Sequence, residues 1–198
     1  MSILIAVPTY ETISTETYKA LWELDSAGHE VMFDAVKGYD CALARIKMCE
    51  AAIEYGAEWL LMVDSDTVPP TDALANMLEH DADVVIGYYQ WKNRPPGETC
   101  VWKLGNWTTR WTASELHALE ARGTDSAIVQ GGGMGCALVR TSILHRLPRP
   151  WFRWVVTPEG AETGEDVYFS NLCRQNGVNI RVDTRVACKH VYATAHEL

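Results

Sequence analysis

The sequence predicts one α/β domain with a central, mostly parallel mixed sheet flanked by helices. Short apolar runs typical of buried strands alternate with segments of helical periodicity. The 198 residues suffice for one well-buried domain and are few for two, and 47% hydrophobic with 22% charged residues is an ordinary globular composition. We therefore expect residues 1–198 to form a single domain that binds its ligand at the carboxyl ends of the strands.

The first half of the chain predicts strands separated by helices. Most of the strands are short apolar runs, and the helices begin near a capping residue and end near glycine or a polar residue. The predicted strands are 3–7, 29–33, 59–63 and 84–87, and the predicted helices are 15–28, 41–55 and 72–79. Strands joined in this way run parallel, so Thr9, Asp34 and Asp64 should share one edge of the sheet.

The second half has a different character, with a tryptophan-rich loop over 90–110 that includes a short hairpin around Gly105-Asn106. A surface helix is predicted over 114–122, and another helix begins at Thr141. The remaining predicted elements are strands at 128–130, 136–139, 180–182 and 187–190, and a helix at 165–176.

Charge and cysteine content exclude some classes of function. A formal net charge of −9 disfavours a nucleic-acid partner, which would be bound through a basic surface. None of the six cysteines has the two-residue spacing of a zinc or redox motif, so we expect reduced, mostly buried thiols in a cytoplasmic protein. The apolar N-terminal run lacks a basic leader and is too short for a transmembrane segment, as is every later run; peripheral membrane contact remains open.

Two aspartates, Asp64 and Asp66, directly follow the predicted strand 59–63. With one residue between them, their side chains can point to the same face or converge in a tight turn. Carboxylate oxygens of this kind suit Mn²⁺ or Mg²⁺, and the expected ligand is a diphosphate that binds to the metal. The alternative is a polar turn whose carboxylates cap backbone amides.

A second acidic pair, Glu165-Asp166, opens the predicted helix 165–176. Carboxylates in a first helical turn interact favourably with the helix dipole, so a capping role is one interpretation. The other is that an ionised aspartate acts as general base towards an acceptor hydroxyl. His190 ends the last predicted strand, where it is either structural or a ligand of Mn²⁺ together with carboxylates.

Three further features each have two interpretations. The run Gly131-Gly132-Gly133 makes room for a sugar or forms a bulge in the sheet. Arg45 contacts a nucleotide or lies on a solvated helix surface. Aromatic side chains either stack on an acceptor or belong to the core. The tryptophans concerned are Trp91, Trp102, Trp107, Trp151 and Trp154.

Taken together, these motifs resemble those of the GT-A glycosyltransferases, particularly small enzymes similar to family 2 and related nucleotide-sugar transferases. The matching segments are AVPTY at 6–10, AR at 44–45, LLMVDSD at 60–66, GGGMGC at 131–136, GEDV at 164–167 and KH at 189–190. They span nearly the whole chain in the expected order. One departure is that Ile46 follows Arg45, where the family often has asparagine.

The resemblance implies a Rossmann-like GT-A domain and a role for each matching residue. Asp166 is expected as the catalytic base, with Glu165 supporting the acceptor, and Asp64, Asp66 and His190 as the metal ligands. The nucleotide sugar is expected to contact Pro8, Thr9, Tyr10, Glu11, Asp34, Arg45, Asp64, Ser65, Gln130, Gly131, Gly132 and Gly133.

The resulting hypothesis is a glycosyltransferase that uses Mn²⁺ or Mg²⁺ and a UDP- or GDP-sugar, and transfers the sugar to an unidentified acceptor hydroxyl with inversion. If configuration is retained instead, Asp166 orients the acceptor, and Gln130 or a neighbouring backbone group faces the sugar. A nucleotidyltransferase is the alternative enzyme, although residues 8–15 carry no lysine or arginine to grip phosphate. A binding module without turnover is the alternative outside catalysis.

Overall fold

The computed structural model describes residues 1–90, 97–160 and 162–191. The helices within these ranges are α1 (Thr15–Trp22), α2 (Cys41–Glu54), α3 (Ala73–Leu78), α4 (Ala113–Glu120), α5 (Thr141–Leu144) and α6 (Glu165–Gln175). The strands are β1 (Ser2–Thr9), β2 (Glu30–Lys37), β3 (Trp59–Val63), β4 (Thr67–Val68), β5 (Val84–Tyr88), β6 (Glu98–Lys103), β7 (Arg110–Thr112), β8 (Ser126–Gly132), β9 (Cys136–Arg140), β10 (Val155–Val156), β11 (Glu162–Thr163), β12 (Ile180–Ala187) and β13 (Lys189–His190).

Nine strands of the described chain form one sheet in the order β2-β1-β3-β9-β5-β12-β8-β6-β7. The predicted α/β fold with a mixed sheet flanked by helices is confirmed. The expectation that the sheet is mostly parallel needs correction. Only three of its eight neighbouring strand pairs are parallel: β1 with β2, β1 with β3, and β5 with β12. β9 causes much of the difference, since it lies antiparallel between β3 and β5.

Strands β1, β3, β5 and β12 run in one direction, so their carboxyl ends meet at one edge of the sheet. Beyond this edge, β13 pairs antiparallel with β4, and His190 lies opposite Thr67. The last two predicted strands, 180–182 and 187–190, correspond to the long strand β12 and the short strand β13. This pairing carries the end of the described chain back to the turn that follows β3.

Side chains alternate between the two faces of the sheet. In β3, Leu60 and Met62 belong to one buried cluster, whereas Trp59, Leu61 and Val63 belong to another on the opposite face. Both faces of the central strands are buried by helices, which explains why these strands are apolar without interruption. No disulfide joins any of the six cysteines, and five of them are buried.

Some element boundaries differ from the prediction. α1 ends at Trp22 rather than near Gly28, and the residues after it form a turn in which the Asp25 carboxylate accepts from the Ala27 amide at 2.9 Å. β2 continues to Lys37, so Asp34 lies within the strand opposite Ala6 and not at its carboxyl end.

The hairpin predicted around Gly105-Asn106 is formed by β6 and β7. The β10–β11 hairpin was not predicted. Trp91 and the prolines at 95 and 96 lie outside the described residues. Among the residues described, no helix has both the length and the apolar character needed to cross a membrane.

Candidate active site

A cavity of about 510 Å³ opens at the carboxyl edge of β1, β3 and β5. Eleven of the sixteen site residues predicted from the sequence line this cavity. They are Pro8, Thr9, Tyr10, Arg45, Asp64, Ser65, Asp66, Gly133, Glu165, Asp166 and His190. The fold thus brings together the two acidic motifs, although about 100 residues separate them in the sequence.

The turn that carries Asp64 and Asp66 is fixed by backbone hydrogen bonds. The Asp64 amide donates to the Gly135 carbonyl at 2.9 Å, and the Val191 amide donates to the Asp66 carbonyl at 2.7 Å. The Thr67 amide closes the turn on the Asp64 carbonyl at 3.0 Å. Two distant segments therefore hold this turn, which limits how far the carboxylates can move.

Arg45 is the buried cation of the site, with only 2% of its surface exposed. Its Nη2 lies 3.0 Å from Asp64 Oδ1, its Nε donates to Glu165 Oε1 at 3.3 Å, and its Nη1 donates to the Met134 carbonyl at 3.3 Å. Burial by itself would lower the pKa of Arg45, but the Asp64 and Glu165 carboxylates outweigh burial and raise it. Arg45 therefore links the two acidic motifs. Its burial rules out the interpretation that it lies on a solvated helix surface.

Asp166 differs from Glu165 in its environment. Burial raises the pKa of Asp166 to about 6, and repulsion from the Glu165 carboxylate adds to this rise. The Val167 amide donates to its Oδ1 at 2.7 Å, which favours the ionised form and limits the increase. Glu165 is engaged by Arg45, so Asp166 is the carboxylate of the pair that is suited to exchange a proton near neutral pH.

Asp66 and His190 meet because β13 pairs with β4. Asp66 Oδ2 lies 3.1 Å from His190 Nε2. Asp64, the third predicted ligand, contacts Arg45 instead. Across 1–90, 97–160 and 162–191, no three His, Cys, Asp or Glu side chains are grouped so that they could hold a metal ion. The structure thus supports the pairing of Asp66 with His190 but not the predicted three-residue cluster, because the Arg45 cation already compensates the charge of Asp64.

The glycine run makes room mainly for other parts of the protein. A Cβ on Gly131 would lie 2.4 Å from Ser170 Oγ, and one on Gly132 would lie 2.2 Å from Ile86 Cδ1. Only Gly133 of this run lines the cavity. The close approach of α6 and β5 therefore explains the first two glycines without any bound sugar.

Five predicted residues do not line the cavity: Glu11, Asp34, Gln130, Gly131 and Gly132. Asp34 is too early in β2 to reach the edge. The Gln130 side chain accepts a hydrogen bond from the Gly105 amide at 3.1 Å, so it anchors the β6–β7 hairpin.

The described tryptophans divide into core and surface residues. Trp151 and Trp102 are buried, and Trp107 donates from its indole N–H to Asn171 on α6 at 3.2 Å. Trp154 is 50% exposed, and its Cζ3 lies 3.8 Å from the position that a Cβ on Gly164 would take. Asp166 Oδ1 lies 2.8 Å from the same position. Trp154 therefore flanks the Asp166 end of the cavity.

Tyr89 was not predicted from the sequence, but it lines the cavity, and its ring centroid lies 5.2 Å from that of His190. Burial raises the pKa of Tyr89 well above its ordinary value, and the nearby Cys100 and Asp64 add to this effect. The available signal was its position, directly after the apolar residues of β5. The other unpredicted lining residues are Tyr39, Asp40, Cys41, Ala44, Cys100 and Met134.

No protein-family model matches the sequence, and no curated protein sequence matches it significantly. Solved structures do resemble it. A197 from STIV is 19% identical, with a TM-score of 0.66 over 97% of this chain and 86% of that chain. GalNAc-T7, solved with UDP, GalNAc and Mn²⁺, is 11% identical, with a TM-score of 0.68 over 97% of this chain and 44% of that chain. S. aureus TarS 1–349, solved with UDP-GlcNAc, is 18% identical, with a TM-score of 0.53 over 99% of this chain and 60% of that chain.

These similarities show the fold, and the chain has the GT-A fold expected from its sequence. It spans 44% of the GalNAc-T7 chain and 60% of the TarS chain.

Proposed function

We propose that the protein is a glycosyltransferase that moves a sugar from a nucleoside diphosphate sugar to an acceptor hydroxyl, with inversion of configuration. The observation that carries this proposal is that Asp166, with a pKa of about 6, lies in the same cavity as the contacting pair Asp66 and His190. One end of the cavity thus carries a proton acceptor, and the other carries a carboxylate and imidazole pair that suits a divalent cation, which in turn would bind a diphosphate. The ligands of GalNAc-T7 and TarS support UDP rather than GDP in the donor.

The donor is proposed to lie along the β1 and β3 ends of the cavity. Pro8, Thr9 and Tyr10 would border the base and ribose, with Asp64 and Ser65 beside them. The Thr9 hydroxyl donates to the Thr12 carbonyl at 2.8 Å, which holds the loop after β1 in place. Arg45 does not contact the nucleotide in this proposal, since it is buried and each of its three guanidinium nitrogens already donates to a protein group.

Asp66 and His190 are proposed to hold Mn²⁺ or Mg²⁺. A carboxylate oxygen and an imidazole nitrogen that lie 3.1 Å apart on the cavity wall are a donor set that fits such an ion. When bound, the ion would neutralise charge on the departing diphosphate. Asp64 is proposed to support this site through its position next to Asp66 and not as a third ligand.

The transfer step uses Asp166 as the base. Its carboxylate accepts the proton of the acceptor hydroxyl while the acceptor oxygen attacks the anomeric carbon of the donor sugar. The bond from that carbon to the diphosphate oxygen breaks, and the diphosphate leaves with the electron pair. Glu165 is a positioning residue, because the Arg45 guanidinium holds it and thereby fixes the first turn of α6.

The nucleotidyltransferase alternative is not favoured, because Arg45 is the sole cationic side chain other than histidine among the described cavity-lining residues and is buried between carboxylates. A binding module without turnover, the second alternative, can be distinguished from the enzyme by experiment. Such a module would bind UDP with Mn²⁺ but would neither hydrolyse a UDP-sugar nor transfer its sugar.

The test of the donor site uses UDP and Mn²⁺ with the variant Asp66→Asn. Replacing this carboxylate removes a negatively charged ligand, so we expect the affinity for UDP in the presence of Mn²⁺ to fall by roughly 10-fold or more. Affinity for UDP without metal should change little. Isothermal titration calorimetry on both proteins, with and without Mn²⁺, measures the difference.

The matched control is Asp81→Asn, an exposed aspartate away from the cavity, which should bind UDP as the wild type does. Equal metal-dependent affinity in the Asp66 variant and the wild type would contradict the assigned ligand. Hydrolysis or transfer of UDP-GlcNAc or UDP-GalNAc by the wild type distinguishes the enzyme from the binding module.

Trp154 is proposed to contact the acceptor, because its exposed indole lies beside Gly164 and Asp166. Sugar rings stack on aromatic faces, and loss of such a contact of ~0.5–1.5 kcal/mol corresponds to roughly a 2- to 12-fold change. Trp154→Ala should therefore raise KM for a sugar acceptor by that factor and leave donor hydrolysis unchanged. Steady-state kinetics over a panel of simple glycosides, with Trp22→Ala as the exposed-tryptophan control, checks this. An unchanged acceptor KM throughout the panel would refute the contact.

A further inference from the structure

Tyr89 directly follows β5 and lines the same cavity as the two acidic motifs. It packs against both buried clusters of the core, and its ring contacts His190. The side chain lines the cavity. Tyr89 is therefore held by the core on one side and faces the candidate donor site on the other.

Two glycines leave the space that the Tyr89 hydroxyl occupies. A Cβ on Gly133 would lie 2.3 Å from this oxygen, and a Cβ on Gly135 would lie 2.9 Å from it. Asp64 Oδ2 lies 3.0 Å from the same point beside Gly135. The glycine segment after β8 therefore allows a phenol to be placed next to the aspartate turn.

The hydroxyl has no hydrogen-bond partner within the described ranges of the chain. The neighbouring Tyr88 is different, because its hydroxyl donates to the Thr184 carbonyl at 3.3 Å. Polar groups inside proteins are nearly always hydrogen-bonded to protein, water or ligand. A hydroxyl that lines a cavity without a protein partner is thus available to a ligand.

We propose that the Tyr89 hydroxyl donates a hydrogen bond to the diphosphate of the nucleotide sugar and stabilises the charge that appears there as the sugar leaves. This inference rests on the proposed function. Tyr89 contacts His190, whose partner is Asp66, so the phenol lies at the end of the cavity assigned to the diphosphate.

The chemistry of the two groups is complementary. Diphosphate oxygens only accept hydrogen bonds, and a phenol is protonated at neutral pH and donates one. Hydrogen bonds between a neutral donor and a charged oxygen are stronger than those between neutral groups, and they strengthen as negative charge develops. The role is therefore electrostatic, and Tyr89 transfers no proton.

The test compares Tyr89→Phe with the wild type, using UDP and uridine as probes in the presence of Mn²⁺. Phenylalanine keeps the ring that packs on the core, so the melting temperature should shift by no more than about 2 °C. Affinity for UDP should fall about 10-fold, whereas affinity for uridine, which lacks the diphosphate, should stay the same. The kcat for a UDP-sugar should fall by about 10²-fold, because the contact strengthens as the bond breaks.

Tyr88→Phe is the matched control, since it removes a phenol hydroxyl from the adjacent residue, outside this cavity. It should leave UDP affinity and kcat unchanged. A second measurement uses Gly133→Ala, which should lower the melting temperature by several degrees in the wild type. With Tyr89→Phe present the effect should be smaller, because the nearest remaining atoms, Cζ of residue 89 and Cβ of Cys100, lie 3.1 Å away.

The outcomes separate this inference from the proposed function. If the wild type turns over a UDP-sugar and Tyr89→Phe matches it in UDP affinity and kcat, the role of the hydroxyl is overturned while the proposed function stands. If the variant loses UDP and uridine affinity equally, the hydroxyl supports the nucleoside part of the site and not the diphosphate, and the inference is again overturned. If the wild type binds neither UDP nor GDP with Mn²⁺, the proposed function fails, and this inference fails with it.

Discussion

Replacing Asp166 by asparagine should lower the transfer rate by about 10²- to 10⁴-fold while sparing UDP binding, because the variant cannot take the proton of the acceptor hydroxyl. The side chain keeps its size and can still accept from the Val167 amide. The fold and the Asp66–His190 pair should therefore be unaffected. Steady-state kinetics and calorimetry with UDP and Mn²⁺ measure the two properties separately.

The pH dependence of the wild type provides a second measurement of the same role. With the pKa of Asp166 at about 6, the fraction of active base rises as pH increases through this value. The kcat/KM should therefore rise up to about pH 7 and then level off. The residual activity of Asp166→Asn should lack this rise, and a rise that persists in the variant would contradict the assignment.

At pH 8, Asp166→Asn should make the folded protein more stable although it lowers the transfer rate. The pKa of Asp166 is raised from 3.8 to about 6 in the fold, so the stability that its protonated form provides is present below pH 4 and is lost as pH rises through 6. The shift corresponds to at most about 3 kcal/mol at pH 8, and Asp166→Asn should recover part of it. Urea unfolding at pH 8 should show the gain, and unfolding at pH 4 should not.

Glu162→Gln on β11 is the control for these measurements, because it removes an exposed carboxylate close to α6 in sequence. It should change neither the rate nor its pH dependence. A loss of activity in this control equal to that of Asp166→Asn would show that the effect is general electrostatics and not base catalysis.

Replacing Arg45 by methionine should destabilise the protein by about 3–5 kcal/mol, because it leaves the Asp64 and Glu165 carboxylates without their buried cation. Methionine fills much of the same space, so packing alone should not produce this loss. Donor turnover should fall as well, since both acidic motifs are positioned through Arg45. Urea unfolding followed by circular dichroism measures the free energy.

A double-mutant cycle separates the loss of charge compensation from other effects. Glu165→Gln removes one of the two orphaned carboxylates, so Arg45→Met should be less damaging in that background by 0.5 kcal/mol or more. Arg45→Lys keeps the charge but lacks the planar fork that serves three partners, and it should rescue only in part. A loss below about 1 kcal/mol for Arg45→Met would contradict the role of Arg45 as the buried link.

Much of the site could be anticipated from local sequence. Asp64 and Asp66 directly follow an uninterrupted apolar strand. Glu165 and Asp166 begin a helix directly after a glycine. The positions of both pairs at the ends of elements could therefore be predicted from the local sequence. Asp34 was misplaced because the strand predicted at 29–33 gave no sign that β2 continues to Lys37. Gly131 and Gly132 were assigned to the sugar, although the groups that fill their space come from α6 and β5.

The chain by itself determined the alternation of strands and helices, the ends at which the acidic motifs lie and the order of those motifs, because these depend on periodicity and on capping residues close in sequence. Only the tertiary structure decided that β9 enters between β3 and β5, that Arg45 binds Asp64 and Glu165, and that Tyr89 lies against Gly133 and Gly135. The physical reason is that these arrangements depend on pairing and charge compensation between residues far apart in the chain. The pattern of neighbouring residues in the sequence does not indicate which distant residue will contact a given side chain.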